Sequence, residues 1–155
     1  MNDATTTDGR IREAFACLCV HDAGAAPDFN ARAFGARELF PRAEPGARIG
    51  HAEMRLGPAI VMLSDEIPEF GVRGPLASGG TSATLHPHVD DGDAMASHAV
   101  SAGATMLRPP RDEFYGERSL RLRDAFGHEW LLGQEIERVS PEEMQRRYTA
   151  LPSGA

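Results

Sequence analysis

Residues 48–57 read RIGHAEMRLG and residues 118–127 read RSLRLRDAFG, and the fold is predicted from these two stretches. In each, apolar and polar side chains alternate before a glycine, a pattern typical of a half-buried strand that enters a turn. The features around them recur in the same order about 70 residues apart, beginning with a short apolar segment that ends at Val20 or Val89. The chain is therefore predicted to be an internal duplication.

Each repeat is predicted to form a strand, a helix and three further strands. Gly35 and Gly103 end the two helical stretches, because glycine readily adopts the left-handed conformation of a helix C-cap. The helices are expected over about 24–35 and 91–103. The predicted fold class is α+β, with two tandem pseudo-symmetric βαβββ units that form a cup-shaped mixed sheet.

The length of 155 residues is enough for one domain with its own core. A further helix is predicted over 141–149, because Ser140 can cap it and a proline and two acids follow. The predicted organisation is a flexible N-terminus (1–10), a single domain (11–139) made of unit one (11–64), a Gly-, Pro- and Ser-rich linker (65–80) and unit two (81–139), and a C-terminal helix and tail (140–155).

Composition excludes several classes of function. A net charge of −7 without a run of basic residues excludes a phosphate-tracking surface, so we expect no nucleic-acid partner. All 16 basic residues are arginine, which excludes Schiff-base and P-loop lysine chemistry. With no long apolar run and no signal-peptide pattern, we expect no membrane contact and a cytoplasmic location. Cys17 and Cys19 are expected to be reduced.

Several motifs resemble those of one protein family. They are Phe34-Gly35-Ala36, Gly50-His51-Ala52-Glu53, Val61-Met62-Leu63-Ser64-Asp65-Glu66, Phe114-Tyr115-Gly116-Glu117-Arg118 and Asp124-Ala125-Phe126-Gly127-His128. Together with the duplication, they are similar to the glyoxalase/bleomycin-resistance proteins of the vicinal oxygen chelate superfamily, in particular to a bacterial glyoxalase-like subgroup. The resemblance covers residues 12–147. Since each helix covers one side of its sheet, a concave site is expected between the two units.

The resemblance also bears on metal binding. Metal enzymes of this superfamily carry His, Glu or Gln at four inward positions, which correspond here to Phe15, Val61, Thr84 and Leu131. A divalent cation needs several nitrogen, oxygen or sulfur donors that converge on it, and these four side chains do not supply them. We therefore expect no metal ion and no other cofactor.

The predicted ligand-binding residues are His51, Glu53, His86, Tyr115 and Arg121. His51 and Glu53 alternate with apolar positions along one strand, although a solvated sheet face has the same pattern. Arg121 could bind an anionic or carbonyl-bearing ligand through its planar guanidinium, or it could form a cross-strand ion pair.

The other two predicted residues also have alternative interpretations. His86 and His88 lie on one face of a strand, where an imidazole is either a hydrogen-bonded pocket residue or an acid or base. Tyr115 lies in a loop, where it either covers the ligand or closes the end of the sheet.

The predicted function is binding of a small organic molecule in the cleft between the units without the usual metal, as in drug-sequestering members of the superfamily. A polar cup with an aromatic cover suits a small carbonyl, carboxylate or phenolic compound, and acidic surroundings would also admit a cationic drug. The alternative is a lyase, isomerase or ring-cleaving dioxygenase that uses a histidine or a relocated metal. The candidate ligands for that metal are His51, Glu53, His86 and His88. The expected partner is a small molecule, and a homodimer is left open.

Overall fold

The computed structural model describes residues 9–39 and 47–152 of the chain. Its strands are β1 (Ala16–Val20), β2 (Arg37–Glu38), β3 (Ala52–Leu56), β4 (Ala59–Asp65), β5 (Thr84–Leu85), β6 (Thr105–Asp112), β7 (Glu117–Arg123) and β8 (Glu129–Glu135). Its helices are α1 (Ala26–Phe34), α2 (Pro75–Ser78), α3 (Gly92–Ala102) and α4 (Pro141–Thr149), and a 3-10 turn spans Pro68–Phe70. Most of the predicted N-terminal segment and the end of the tail lie outside the described residues. No helix within the described ranges is long and apolar enough to cross a lipid bilayer.

The strands form two four-stranded sheets with the same strand order. The first sheet runs β1-β4-β3-β2 and the second β5-β8-β7-β6. In both, the first strand of the unit is parallel to the last strand, and the other neighbours are antiparallel. Ala16 lies opposite Val61 and Thr84 lies opposite Glu129, at the same separation along the chain, so the register is duplicated as well. The predicted α+β fold with two βαβββ units is confirmed.

The helix ends follow the local sequence. Gly35 and Gly103 both have positive φ, 66° and 119°, and end α1 and α3 as predicted. The Asp91 carboxylate accepts a hydrogen bond from a first-turn N–H of α3 at 2.9 Å. The Ser140 hydroxyl does the same for α4 at 3.2 Å. All three predicted helices are present, and their ends lie within two residues of the predicted ones.

One continuous hydrophobic core joins the two units. Met54 in the first sheet and Leu120 and Leu132 in the second are fully buried, since alternate side chains of each sheet face this core. Within it α1 packs against α3, and the ring of Phe34 in α1 stacks on Trp130 in β8 with centroids 4.2 Å apart. We call this side of each sheet its core face and the opposite side its open face.

The turn at residues 124–128 fixes the second unit against β1. Asp124 accepts hydrogen bonds from two backbone N–H groups of the turn at 2.9 Å, and its other carboxylate oxygen accepts one from the Trp130 indole at 2.9 Å. His128 Nε2 lies 2.9 Å from the carbonyl oxygen of Cys19 in β1. These contacts give the turn a structural role.

β5 is shorter than the sequence predicts. The first strand of the second unit is expected to reach Val89, yet it ends at Leu85. The reason is Pro87, which has no N–H to donate to a neighbouring strand. The segment still follows β8, because His88 forms an isolated bridge with Gly133 and the Val89 N–H donates to the Gly133 carbonyl at 2.8 Å.

Candidate functional site

The open face of the second sheet carries most of the polar side chains that could bind a ligand. Thr84 lies opposite Glu129 and Arg121 lies opposite Leu131, and because side chains alternate along a strand, these residues share one face. The polar side chains of this open face include Thr84, His86, His88, Glu117, Ser119, Arg121 and Glu129.

The nitrogens of the Arg121 guanidinium differ in their hydrogen bonding. Its Nη2 donates to Thr84 Oγ1 at 3.2 Å and to Glu129 Oε2 at 3.4 Å, so the predicted alternative of a cross-strand ion pair is present. Glu129 is shared with Arg123, whose Nη2 donates to Oε1 at 3.0 Å. The Nε of Arg121 is buried without a hydrogen-bond partner, and within the described part of the chain its Nη1 has none either. The side chain is 42% exposed, which leaves Nη1 for a ligand.

His86 and His88 converge on Glu117, the first residue of β7. His86 Nε2 lies 3.7 Å from Glu117 Oε2, and His88 Nε2 lies 3.2 Å from Glu117 Oε1. The ligand atoms of the three residues all lie within 4.8 Å of one another, so they could hold a metal ion. Sequence analysis missed Glu117, although its spacing from Ser119 and Arg121 along one strand signals a shared face.

Ser119 is fully buried even though it belongs to the open face. Arg108 of β6 covers it with Nη2 2.8 Å from the serine Oγ, and that Oγ donates to Glu113 Oε1 at 2.9 Å. Burial raises the pKa of Glu113, but hydrogen bonds from Arg111 and Ser119 outweigh burial and hold this pKa below its usual range. The carboxylate is therefore charged and paired, and the network stabilises this edge of the sheet.

His51 and Glu53 form a separate pair in the first unit. His51 Nε2 lies 2.9 Å from Glu53 Oε1. Within the described part of the chain, neither side chain makes a hydrogen bond or an ion pair with the second unit. The structure thus gives these two predicted ligand residues no polar contact with His86 or Arg121.

The two cysteines lie on the open face of β1 as free thiols. Burial raises the pKa of the Cys19 thiol, and the nearby Glu66 carboxylate adds to this effect. The thiolate is the reactive form of cysteine, so Cys19 is poorly suited to nucleophilic catalysis.

Tyr115 lies in the loop before β7. Its ring meets Phe114 edge-on with centroids 5.2 Å apart, and Phe114 lies 5.8 Å from Tyr148 of α4. Gly116 follows with φ of 91°, and a β-carbon there would lie 2.2 Å from the Glu137 carbonyl oxygen, which requires glycine. These contacts favour the alternative in which the loop closes the end of the sheet.

The duplicated sheets match a known family. A sequence profile of the Glyoxalase/Bleomycin resistance protein/Dioxygenase superfamily matches residues 12–132, across both units. The chain belongs to this superfamily. The resemblance inferred from the motifs is confirmed.

Relatives of this superfamily member include two mycobacterial proteins. The uncharacterized protein Mb0911c of Mycobacterium bovis is 37% identical over 140 residues, which cover 88% of this chain and 92% of that protein. The uncharacterized protein Rv0887c of Mycobacterium tuberculosis is also 37% identical over 140 residues, with 88% and 82% covered.

Solved structures support the same fold. TioX from Micromonospora sp. ML1 superposes with a TM-score of 0.61 at 27% identity, and the match covers 83% of this chain and 99% of TioX. A glyoxalase-related enzyme from Fulvimarina pelagi superposes with a TM-score of 0.64 at 19% identity, with 80% and 88% covered. At that identity, the second likeness shows the fold alone.

The positions that hold metal in enzymes of this superfamily do not fit a metal in this member. Phe15, Thr84 and Leu131 offer no imidazole or carboxylate. Val61 was expected to point inward, but it is buried in the hydrophobic core because it lies on the core face of β4. Its neighbour Met62 takes the open-face position and supplies no carboxylate or imidazole either. Any metal chemistry would need other residues.

Proposed function

We propose that this superfamily member binds a small anionic organic molecule, with a carboxylate or phenolate group, at Arg121 on the open face of the second sheet. The proposal rests on the hydrogen bonds and the exposure of the Arg121 guanidinium. One nitrogen is held by Thr84 and Glu129, while Nη1 has no protein partner in the described part of the chain and the side chain is 42% exposed. The binding needs no metal at the family's usual positions.

The neighbours of Arg121 support this chemistry. Thr84 and Glu129 restrict the rotation of the guanidinium, so less side-chain freedom is lost when a ligand binds. A planar guanidinium recognises a carboxylate through charge-assisted hydrogen bonds. Leu131 lies directly opposite Arg121 on the same face and supplies an apolar surface for the organic part of the ligand.

The evidence for ligand contact differs among the other predicted ligand residues. His86 lies two residues after Thr84 on the same open face, within reach of a ligand that extends from Arg121. The sequence also predicts ligand contacts at His51, Glu53 and Tyr115. These predictions rest on the sequence and not on a contact with Arg121.

The test compares two arginines that share one carboxylate. The probe is benzoate, titrated into the full chain by calorimetry or ligand-observed NMR after native mass spectrometry has checked for a co-purified molecule. Arg121→Ala should weaken binding by about 1.5–3 kcal/mol, or about 10- to 150-fold, the range for a hydrogen bond to a charged group. Arg123→Ala removes the other partner of Glu129 and should leave binding within about twofold of wild type.

Two outcomes would contradict the proposal. Equal losses in both variants would show that binding depends on the overall positive charge beside Glu129 and not on the Arg121 donor. A lower melting temperature of Arg121→Ala with unchanged binding would identify Arg121 as part of a structural ion pair. Under the proposal, melting should change little, because Glu129 keeps Arg123 as its partner.

The alternative of a metal- or histidine-dependent lyase, isomerase or dioxygenase keeps one supporting observation. The set His51, Glu53, His86 and His88 is not brought together, but His86 and His88 converge on Glu117 instead. The metal-dependent form of this alternative requires that a metal ion binds at these three residues.

A further inference from the structure

We propose that His86, His88 and Glu117 form a transition-metal site outside the positions used by the superfamily's metal enzymes. The site goes beyond the proposed function, because Arg121 can bind an anion without it. Two imidazoles and one carboxylate are a ligand set that binds Zn²⁺ and other first-row metals in proteins.

The distances fit a shared ion. Two ligands of one metal are separated by about 3.0–3.4 Å when each bond is about 2.0–2.1 Å long. His88 Nε2 and Glu117 Oε1 are 3.2 Å apart, which is within that range. His86 Nε2 and Glu117 Oε2 are 3.7 Å apart, so this pair needs a movement of only a few tenths of an ångström to contact a shared ion.

One oxygen of the Glu117 carboxylate has no hydrogen-bond partner among the residues that the structure describes. Oε2 is buried and accepts no hydrogen bond within the described structure. An unpaired buried carboxylate oxygen is costly, and a cation is the partner that offsets this cost best. Because Oε2 lies 3.7 Å from His86 Nε2, an ion placed between them could contact both the unmet acceptor and the ring nitrogen.

Gly133 leaves space for the ligand atoms of the proposed site. A β-carbon at this position would lie 2.8 Å from Glu117 Oε2 and 2.9 Å from His86 Nε2. Its φ lies outside the left-handed region, so the backbone does not require glycine. The absence of a side chain is therefore explained by what lies in front of it, which is the cluster of ligand atoms.

The two histidines are more exposed than Glu117, so a metal bound by all three would be open to solvent on one side. His86 is 38% and His88 66% exposed at the side chain, while Glu117 is 16% exposed. Three protein ligands on one side of an ion leave coordination positions open toward solvent for water or a ligand atom. The site shares the open face with Arg121, so a small molecule could contact both.

The test is a Co²⁺ titration of the tag-free full chain after chelator treatment and desalting. Visible absorption follows coordination, calorimetry gives the stoichiometry, and Zn²⁺ should displace the Co²⁺ signal. We expect one Co²⁺ per chain, and binding at least about tenfold weaker in Glu117→Gln, which keeps the shape of the side chain but not its charge.

Gly133→Ala is the sharper variant, since it removes no ligand. The added methyl group displaces the ends of two flexible side chains, so the fold should persist, as circular dichroism will show, while Co²⁺ affinity drops by at least about tenfold. His98→Ala removes an exposed histidine of α3 outside the cluster and should leave the affinity unchanged.

Three results would overturn the site. They are the absence of saturable binding at one equivalent, a folded Glu117→Gln variant that binds Co²⁺ as tightly as wild type, and a loss caused by Glu53→Gln instead. Because the benzoate titration is done without metal, the failure of either proposal can be told from the failure of the other.

Discussion

The two units share their backbone design but not the chemistry of their open faces. Strand order, register and the glycine C-caps of α1 and α3 are duplicated. The open face of β1 in the first sheet carries the two free thiols Cys17 and Cys19, whereas the second sheet carries the Arg121 cluster and the His86–His88–Glu117 cluster. Because only the core faces must pack together, the open faces can differ without loss of the fold.

The largest expected effect tests how the units are joined. Trp130 of the second unit stacks on Phe34 of the first, is 1% exposed and donates to Asp124 Oδ2. Trp130→Ala should cost about 3–5 kcal/mol of unfolding free energy, the usual range for deletion of a buried aromatic side chain. Trp130→Phe keeps a ring but leaves the Asp124 oxygen without its donor, and should cost about 1–3 kcal/mol. Urea denaturation measures both, and a cost below about 1 kcal/mol for Trp130→Ala would show that this contact does not join the units.

A smaller effect should separate the two helix caps. Gly35 has φ of 66°, within the left-handed well, whereas Gly103 has φ of 119°, outside it. At neither position would a β-carbon meet another atom within 4 Å, so the backbone alone decides the cost. Gly35→Ala should cost about 1 kcal/mol and Gly103→Ala about 2–3 kcal/mol in thermal or urea unfolding. Equal costs would mean that the caps are energetically equivalent in the two units.

The smallest effect concerns α4, the helix that follows the last strand of the second unit. Hydrogen bonds from Arg146 and Arg147 lower the pKa of Glu143 to about 2, and Arg147 also holds the pKa of Glu137 below its usual range. Arg147 Nη1 further donates to the Phe114 carbonyl at 3.2 Å, which attaches the helix to the turn before β7.

Acid should therefore release α4 before it unfolds the sheets. A carboxyl whose pKa is lowered in the folded state stabilises that state above its ordinary pKa and loses this contribution as the pH falls toward the lowered value. We expect amide protection in residues 141–149 to decline from about pH 4.5 toward about pH 2 while protection in β7 and β8 persists. If hydrogen-exchange measurements show that α4, β7 and β8 lose amide protection at the same pH, the prediction that α4 unfolds first is wrong.

The duplicated fold could be predicted from the sequence, because the signals that indicate it are local. Alternation at Ala52 and Met54 identifies a core face because side chains of a strand alternate, whatever the strand pairs with. A glycine such as Gly35 ends a helix because its own φ can be positive. The open-face position of Arg121 followed from the same alternation.

The contacts between polar side chains could not be predicted in the same way, because they depend on how the strands pair and pack. Glu117 reaches His86 across β8, a contact that depends on the register of three strands and on the missing side chain at Gly133. For the same reason, alternation could not show that Val61 faces the core, nor that the His51–Glu53 pair makes no polar contact with the second unit. Contacts between strands and between units join residues far apart in sequence, and strand pairing and packing fix them, which no local pattern records.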